Sequence, residues 1–94
     1  MKTKLVLLTK KIDKTPSAFL DAVISASSEV ALLQGGVYIS EREAKAAFGD
    51  GFDKNKWRAL DVDVESRRIK SDFELITYSA LVDAIERNDG VVTI

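Results

Sequence analysis

Ninety-four residues, 46% hydrophobic and 31% charged, supply one soluble domain over residues 1–94 with a single core. Fourteen Lys and Arg against fifteen Asp and Glu leave a net charge of −1, which excludes a bulk basic field and argues against direct nucleic-acid binding. Cysteine and histidine are both absent, which excludes disulfides, thiolate zinc sites, a Cys nucleophile and an imidazole base, so no metal or cofactor is expected. No apolar run approaches the ~18 residues of a membrane span, and Leu5–Thr9 is too short for a signal-peptide core. The location expected is cytoplasmic. Few Asn, Gln and Met beside many Lys, Glu and Arg is a balance met in thermophilic proteins.

Lys4–Thr9 is a near-continuous apolar run, as in a strand covered on both faces. A polar loop follows, and Thr15-Pro16 matches a helix entry, with Thr as N-cap and Pro in the first turn. Phe19, Ala22, Val23 and Ala26 then repeat at helical spacing, with Leu20 and Ile24 widening the stripe. Val30–Leu33 reads as a second strand, which makes a βαβ unit with parallel pairing and a right-handed crossover. Gln34-Gly35-Gly36 is a turn. Ser40 and Glu43 form a capping box for a short helix carrying Ala44, Ala47 and Phe48, which Gly49 ends. Trp57–Val62 reads as a third strand, and Asp63 as the cap of a helix over Val64–Ile69. Phe73–Ile76 is a fourth strand, and Ser79 a cap for the helix from Ala80 to about Arg87, with Leu81, Val82, Ala84 and Ile85 buried. Val91–Ile94 is the fifth strand.

This alternation predicts an α/β fold: a three-layer α/β/α sandwich around a mostly parallel five-stranded sheet. Ligands and partners of such sheets gather at the carboxyl ends of the strands. Thr9, Lys10, Gln34 to Gly36, Asp61, Asp63, Thr77 and Tyr78 are brought there. Each has a bland reading beside the sharp one. The Gln34 to Gly36 amides could face an anion, but GxGxxG and GxxxxGK[ST] are both missing, and a tight turn needing positive φ is simpler. Asp61, Asp63 and Glu65 invite a cation, yet an N-cap explains Asp63 with less. Asp50–Lys56 lacks the spacing of a calcium loop. The basic groups Lys10, Lys11, Lys14 and Arg67, Arg68, Lys70 read as solvated faces. Trp57 and Phe52 suit an interface or the core equally well.

Four segments in order carry a family likeness. Val30-Ala31-Leu32-Leu33-Gln34-Gly35-Gly36-Val37-Tyr38 resembles the "hydrophobic strand, acidic or amide residue, x, Gly-Val" signature of DsrH/TusB-like proteins, in the DsrE/F/H sulfur-relay superfamily. Arg58-Ala59-Leu60 resembles the third strand of that family, and Asp63 to Arg67 its D-x-x-x-R element. Ile76-Thr77-Tyr78-Ser79-Ala80-Leu81-Val82 resembles its closing strand-to-helix segment. The resemblance implies a small α/β/α domain that assembles with Cys-bearing DsrE- and DsrF-like (TusD- and TusC-like) proteins, or with itself. Such assemblies relay sulfur as persulfide, toward 2-thiouridine in tRNA or in dissimilatory sulfur metabolism. The chain departs from the pattern in two places. Phe19-Leu20-Asp21 stands where some members carry a cysteine, so this chain cannot hold the persulfide itself. Arg68 stands where the family commonly has Gly.

The function expected is therefore that of a non-catalytic subunit, or stand-alone relative, of a sulfur-relay complex. Gln34, Gly35, Gly36, Tyr38, Asp63, Arg67 and Tyr78 are the expected contact residues, and Arg67 with the loop amides would steady a partner's thiolate. The alternatives are a small-molecule or anion-binding module using the strand-end crevice with Lys10, or a purely structural oligomer built through Val91–Ile94 or the Tyr38–Phe48 helix.

Overall fold

A computed structural model describes residues 3–12 and 16–94. Strand β1 (Lys4–Leu8), helix α1 (Ala18–Ala26) and strand β2 (Glu29–Leu32) form the expected βαβ unit. Thr15 lies outside the described residues. Ser17 is the N-cap of α1, its Oγ accepting the Leu20 N–H at 3.1 Å. The helix buries Ile24 with Leu20 and Val23 beside it, and leaves Phe19 69% exposed. The buried stripe is thus Leu20, Val23, Ile24 and Ser27: of the residues expected on it Val23, Leu20 and Ile24 are covered, whereas Phe19, Ala22 and Ala26 are exposed. Both lines have helical spacing, but the branched side chains of Leu20, Val23 and Ile24 fill the gap above the sheet better than two alanines.

The capping box stands as read. Ser40 Oγ accepts the Glu43 N–H at 3.1 Å and Glu43 accepts the Ser40 N–H at 3.2 Å, opening α2 (Glu41–Phe48). Gly49 ends it at φ 57°. Two single turns lead to β3 (Trp57–Leu60), which is shorter than expected because Asp61 already begins α3 (Asp61–Ser66). Asp61 satisfies the Val62 N–H at 2.7 Å, and Asp63 does not cap the helix. After β4 (Glu74–Ile76), Thr77 rather than Ser79 caps α4 (Tyr78–Arg87), accepting the Ala80 N–H at 3.1 Å. Strand β5 (Gly90–Thr93) closes the chain's order.

The fold is α/β, with a five-stranded sheet of order β4-β3-β2-β1-β5 in which every pairing is parallel. From β1 to β4 the chain steps sideways in one direction, so right-handed crossovers stack α1, α2 and α3 on one face. The step from β4 to β5 runs back across the whole sheet and puts α4 on the other face. The two hydrophobic clusters follow this division. Val6, Leu8, Val30, Leu32, Trp57 and Ala59 pack under α1 to α3, while Leu5, Ala31 and Leu60 pack under Leu81 and Ala84 of α4. Trp57 is fully buried among Phe48, Phe52 and Phe73, with ring centroids 5.4–5.7 Å away, which settles it as core. Its indole N–H has no hydrogen-bond partner among the described residues, a cost of about 1–3 kcal/mol that the packing must offset.

Side chains from later strands and loops secure two ends. Lys56 Nζ donates to the Ile24 and Ser27 carbonyls at 2.8 and 3.0 Å, a cation on the last turn of α1. Burial holds its ammonium below the usual value, against the opposing charge of Asp53. At the start of β2, Glu29 binds Arg87 and, at 2.6 Å, the Asn88 side chain, anchoring the end of α4. Burial alone would raise the Glu29 carboxyl, but hydrogen bonds from Arg87 and Asn88 and the charges of Arg87 and Arg58 hold it below its ordinary value. The same partnership raises Arg87.

Candidate functional site

Helix α3 leaves β3 toward one face, and α4 leaves the neighbouring β4 toward the other. Their starts therefore diverge, and the carboxyl ends of β3 and β4 form the switch-point crevice where open parallel sheets bind things. Asp61 and Asp63 stand on its α3 side, Thr77 and Tyr78 on its α4 side. The loop after β2 lies next to it.

That loop is built by crowding. It folds into a 3-10 turn, Gln34–Tyr38, with the Gly36 N–H on the Leu33 carbonyl at 2.9 Å. Gly36 is buried against the end of β1, and a Cβ there would fall 2.0 Å from the Leu8 carbonyl oxygen; one at Gly35 would fall 3.1 Å from that of Thr9. Neither glycine has positive φ. That conformation falls on Gln34, at φ 51°, instead of on the glycines expected to need it. The two glycines are required by close backbone approach. A non-glycine residue in the left-handed region is uncommon, and such residues gather at functional sites.

Asp63 holds the strained residue in place. Its Oδ2 accepts the Gln34 N–H at 2.7 Å, across 29 residues of chain. The aspartate expected to cap its own helix caps the neighbouring loop. Its other oxygen lies 3.5 Å from Arg67 Nη1, one turn along α3, and the Arg67 guanidinium carbon stands 5.9 Å from the Tyr38 ring centroid. Gln34, Tyr38, Asp63 and Arg67 thus form one connected cluster. Tyr38 is 46% and Tyr78 66% exposed, so the cluster and the crevice both present aromatic surface. Among the described residues no hydrogen bond or ion pair joins Tyr78 to the cluster. Gly36 is covered and shapes the loop without facing outward.

Arg68 follows in the left-handed conformation at φ 53°. The Ile69 N–H reaches the Val64 carbonyl at 3.3 Å and the Arg68 N–H that of Glu65 at 3.1 Å, a Schellman motif whose C′ position normally takes glycine. An arginine occupies the geometry that a glycine would hold at less strain.

The loop amides are poorly placed to cradle an anion. One loop amide is already taken by the Asp63 carboxylate, which adds negative charge where an anion would sit. Asp61, Asp63 and Glu65 do not converge, and among the described residues no three carboxylates are placed to hold a metal ion. A cavity of about 150 Å³ lies elsewhere, between α4 and the faces of β2 and β3, bordered by Glu29, Arg58, Asp83 and Arg87. Among the described residues no helix is long and apolar enough to cross a membrane. Sequence reading missed the thrust of Gly36 against β1 and the reach of Asp63 to Gln34. Both depend on which strands are neighbours, which no local pattern contains. No family model matches the chain, and no curated protein matches it.

Proposed function

We propose that this chain is a non-catalytic subunit, or a stand-alone relative, of a sulfur-relay assembly, acting through contact with a Cys-bearing partner in 2-thiouridine formation or dissimilatory sulfur metabolism. The observation that carries the reading is the strand-end cluster of Gln34, Asp63, Arg67 and Tyr38. Its polar groups satisfy one another, which favours a fixed surface over an open ligand cradle, and Tyr38 and Tyr78 offer aromatic contact on either side of the crevice. A chain without cysteine brings no thiol to that surface, so the persulfide would be carried by the partner. Arg67, about 29% exposed in its side chain, supplies positive charge at the rim, where it would favour a partner's thiolate.

The test is co-purification with DsrE- or TusD-like partners, followed by titration of the partner cysteine with and without this chain. A stable complex and a lowered thiol pKa are expected, with Arg67→Ala returning the thiol toward its free value. No complex with any such partner, or a complex that leaves the thiol unchanged, sinks the proposal. The anion-binding alternative is disfavoured by the Asp63 carboxylate on the loop amide. A thermal-shift series with phosphate, thiosulfate and nucleotides should accordingly move the melting temperature little.

A further inference from the structure

The sheet face under α4 is lined by small side chains where a core usually has large ones. Ala31 of β2 pairs in register with Arg58 of β3, and Glu29 lies two residues earlier on the same face. Helix α4 opposes them with Ala80 and Ala84, one turn apart. Three methyl groups leave space that leucines would fill. A cavity of about 150 Å³ results, floored by Ala31, Ala80 and Ala84 and ringed by Glu29, Arg58, Asp83 and Arg87.

The four charges of the ring are not equivalent. Glu29 and Arg87 satisfy each other, and Asn88 completes the Glu29 carboxylate. Arg58 spends Nη1 on the carbonyls of Asn55 and Trp57 and sets Nε 3.5 Å from Glu74 on β4. Its Nη2 has no partner among the described residues. Asp83 lies near enough to favour the charged form of Arg87, yet it makes no hydrogen bond or ion pair among the described residues. A cation on the sheet and an anion on the helix thus stand uncommitted on opposite walls of one hollow. The Arg58 side chain is only 32% exposed, so its charge acts more strongly there than on open surface.

We propose that this cavity binds a small zwitterion, a free α-amino acid of the size of glycine, alanine or serine. The carboxylate takes the open side of the Arg58 guanidinium, the ammonium group takes Asp83, and the side chain rests on the three alanines. A ligand with one charge fits less well. A carboxylate alone leaves Asp83 facing another anion, and an amine alone leaves Arg58 facing another cation. The size agrees, since a cavity of ~150 Å³ accepts a molecule of about six heavy atoms such as benzene. Tryptophan is far too large for it. Glu29 and Arg58 stand at the amino ends of β2 and β3, away from the strand-end cluster around Asp63, so the inference does not rest on the proposed function.

The test is an NMR titration of the isotope-labelled chain with glycine, L-alanine, L-serine and L-tryptophan, and with propionate and ethylamine as the two half-ligands. At least one of the three small amino acids should saturate with a Kd below about 1 mM, moving the amides of Ala31, Arg58, Ala80 and Ala84. Propionate, ethylamine and tryptophan should each bind at least about tenfold more weakly. Asp83→Asn, at an exposed position, should weaken the amino acid about tenfold and leave propionate unchanged, a split that general loss of structure does not produce. Ala80→Leu fills the hollow and keeps every charge, so it should abolish binding with an unchanged circular dichroism spectrum. The proposal is overturned by the absence of saturable shifts with all three small amino acids, or by propionate binding as tightly as they do. Full affinity in Asp83→Asn, equal losses for both ligands in it, or shifts confined to Gln34 and Asp63 would overturn it as well.

Discussion

The two faces of the sheet solve the same problem with different materials. Under α1, α2 and α3 the face is closed by large side chains, with Trp57, Phe48 and Phe73 in contact and Ile24, Leu32 and Ile39 sealed from solvent. Under α4 the seal is made by Leu5, Ala31, Leu60, Leu81 and Ala84, two of them alanines. Hydrophobic stabilisation scales with buried area at about 25 cal/mol per Å². The aromatic face therefore supplies most of the chain's own stability, and the α4 face a smaller share. A small sheet can thus draw most of its stability from one side, with the other closed by smaller side chains.

Substitutions should separate the two. Trp57→Ala removes the centre of the aromatic cluster and should cost about 3–5 kcal/mol in a urea titration, enough to unfold a marginal domain. Leu81→Ala, the matching change on the α4 face, should cost about 2–3 kcal/mol. Equal losses from the two would break the comparison.

Gly36→Ala probes the loop that packs Val37 and Ile39 onto the aromatic face. With a Cβ 2.0 Å from the Leu8 carbonyl oxygen, the added methyl must displace backbone, and a loss of about 2–3 kcal/mol is expected by thermal unfolding. A neutral effect would mean that the loop is not wedged against β1. Arg68→Gly should act in the opposite sense, releasing the left-handed strain at φ 53° and raising stability by about 0.5–1 kcal/mol.

The smallest expected effect is the acid response of the α4 face. Glu29 is held below its ordinary 4.5, so its partnership with Arg87 and Asn88 stabilises the fold above that pH and is lost as pH falls through the lowered value. Stability followed from pH 6 to pH 3 should therefore fall slightly less in Glu29→Gln than in the wild type. A steeper acid loss in Glu29→Gln would mean that the Glu29 carboxyl is raised in the fold, not lowered.

What could be read from residue order was whatever a short stretch decides alone. The apolar runs of β1 and β2, the Ser40 and Glu43 box, and Gly49 as a stop all depend on neighbours within a few positions. The all-parallel α/β layering followed from the alternation of those pieces. Asp63 shows where this reasoning stops. Its sequence neighbourhood fits an N-cap, but Leu60 holds that place, and the partner of Asp63 is an amide 29 residues earlier. The exposure of Val82 and Ile85, both expected to be buried, was hidden for a related reason: helical spacing identifies an apolar arc, but not how much of it the sheet covers. Of the expected contact residues, Gln34, Tyr38, Asp63 and Arg67 come together, whereas Gly36 turns inward against a strand that the sequence does not reveal as its neighbour.

The pairing of β1 with β5 also sets a timetable. Thr9 donates through both its backbone N–H and its hydroxyl to the Ile94 carbonyl, 85 residues later in the chain. A ribosome adding about 5–20 residues per second finishes β1 several seconds before it makes β5. During that interval β1, among the most apolar strands of the sheet, is an open edge on the nascent chain. Such an edge can pair with the wrong strand, so association of β1 with a neighbouring nascent chain would be the characteristic misfolding route of this protein.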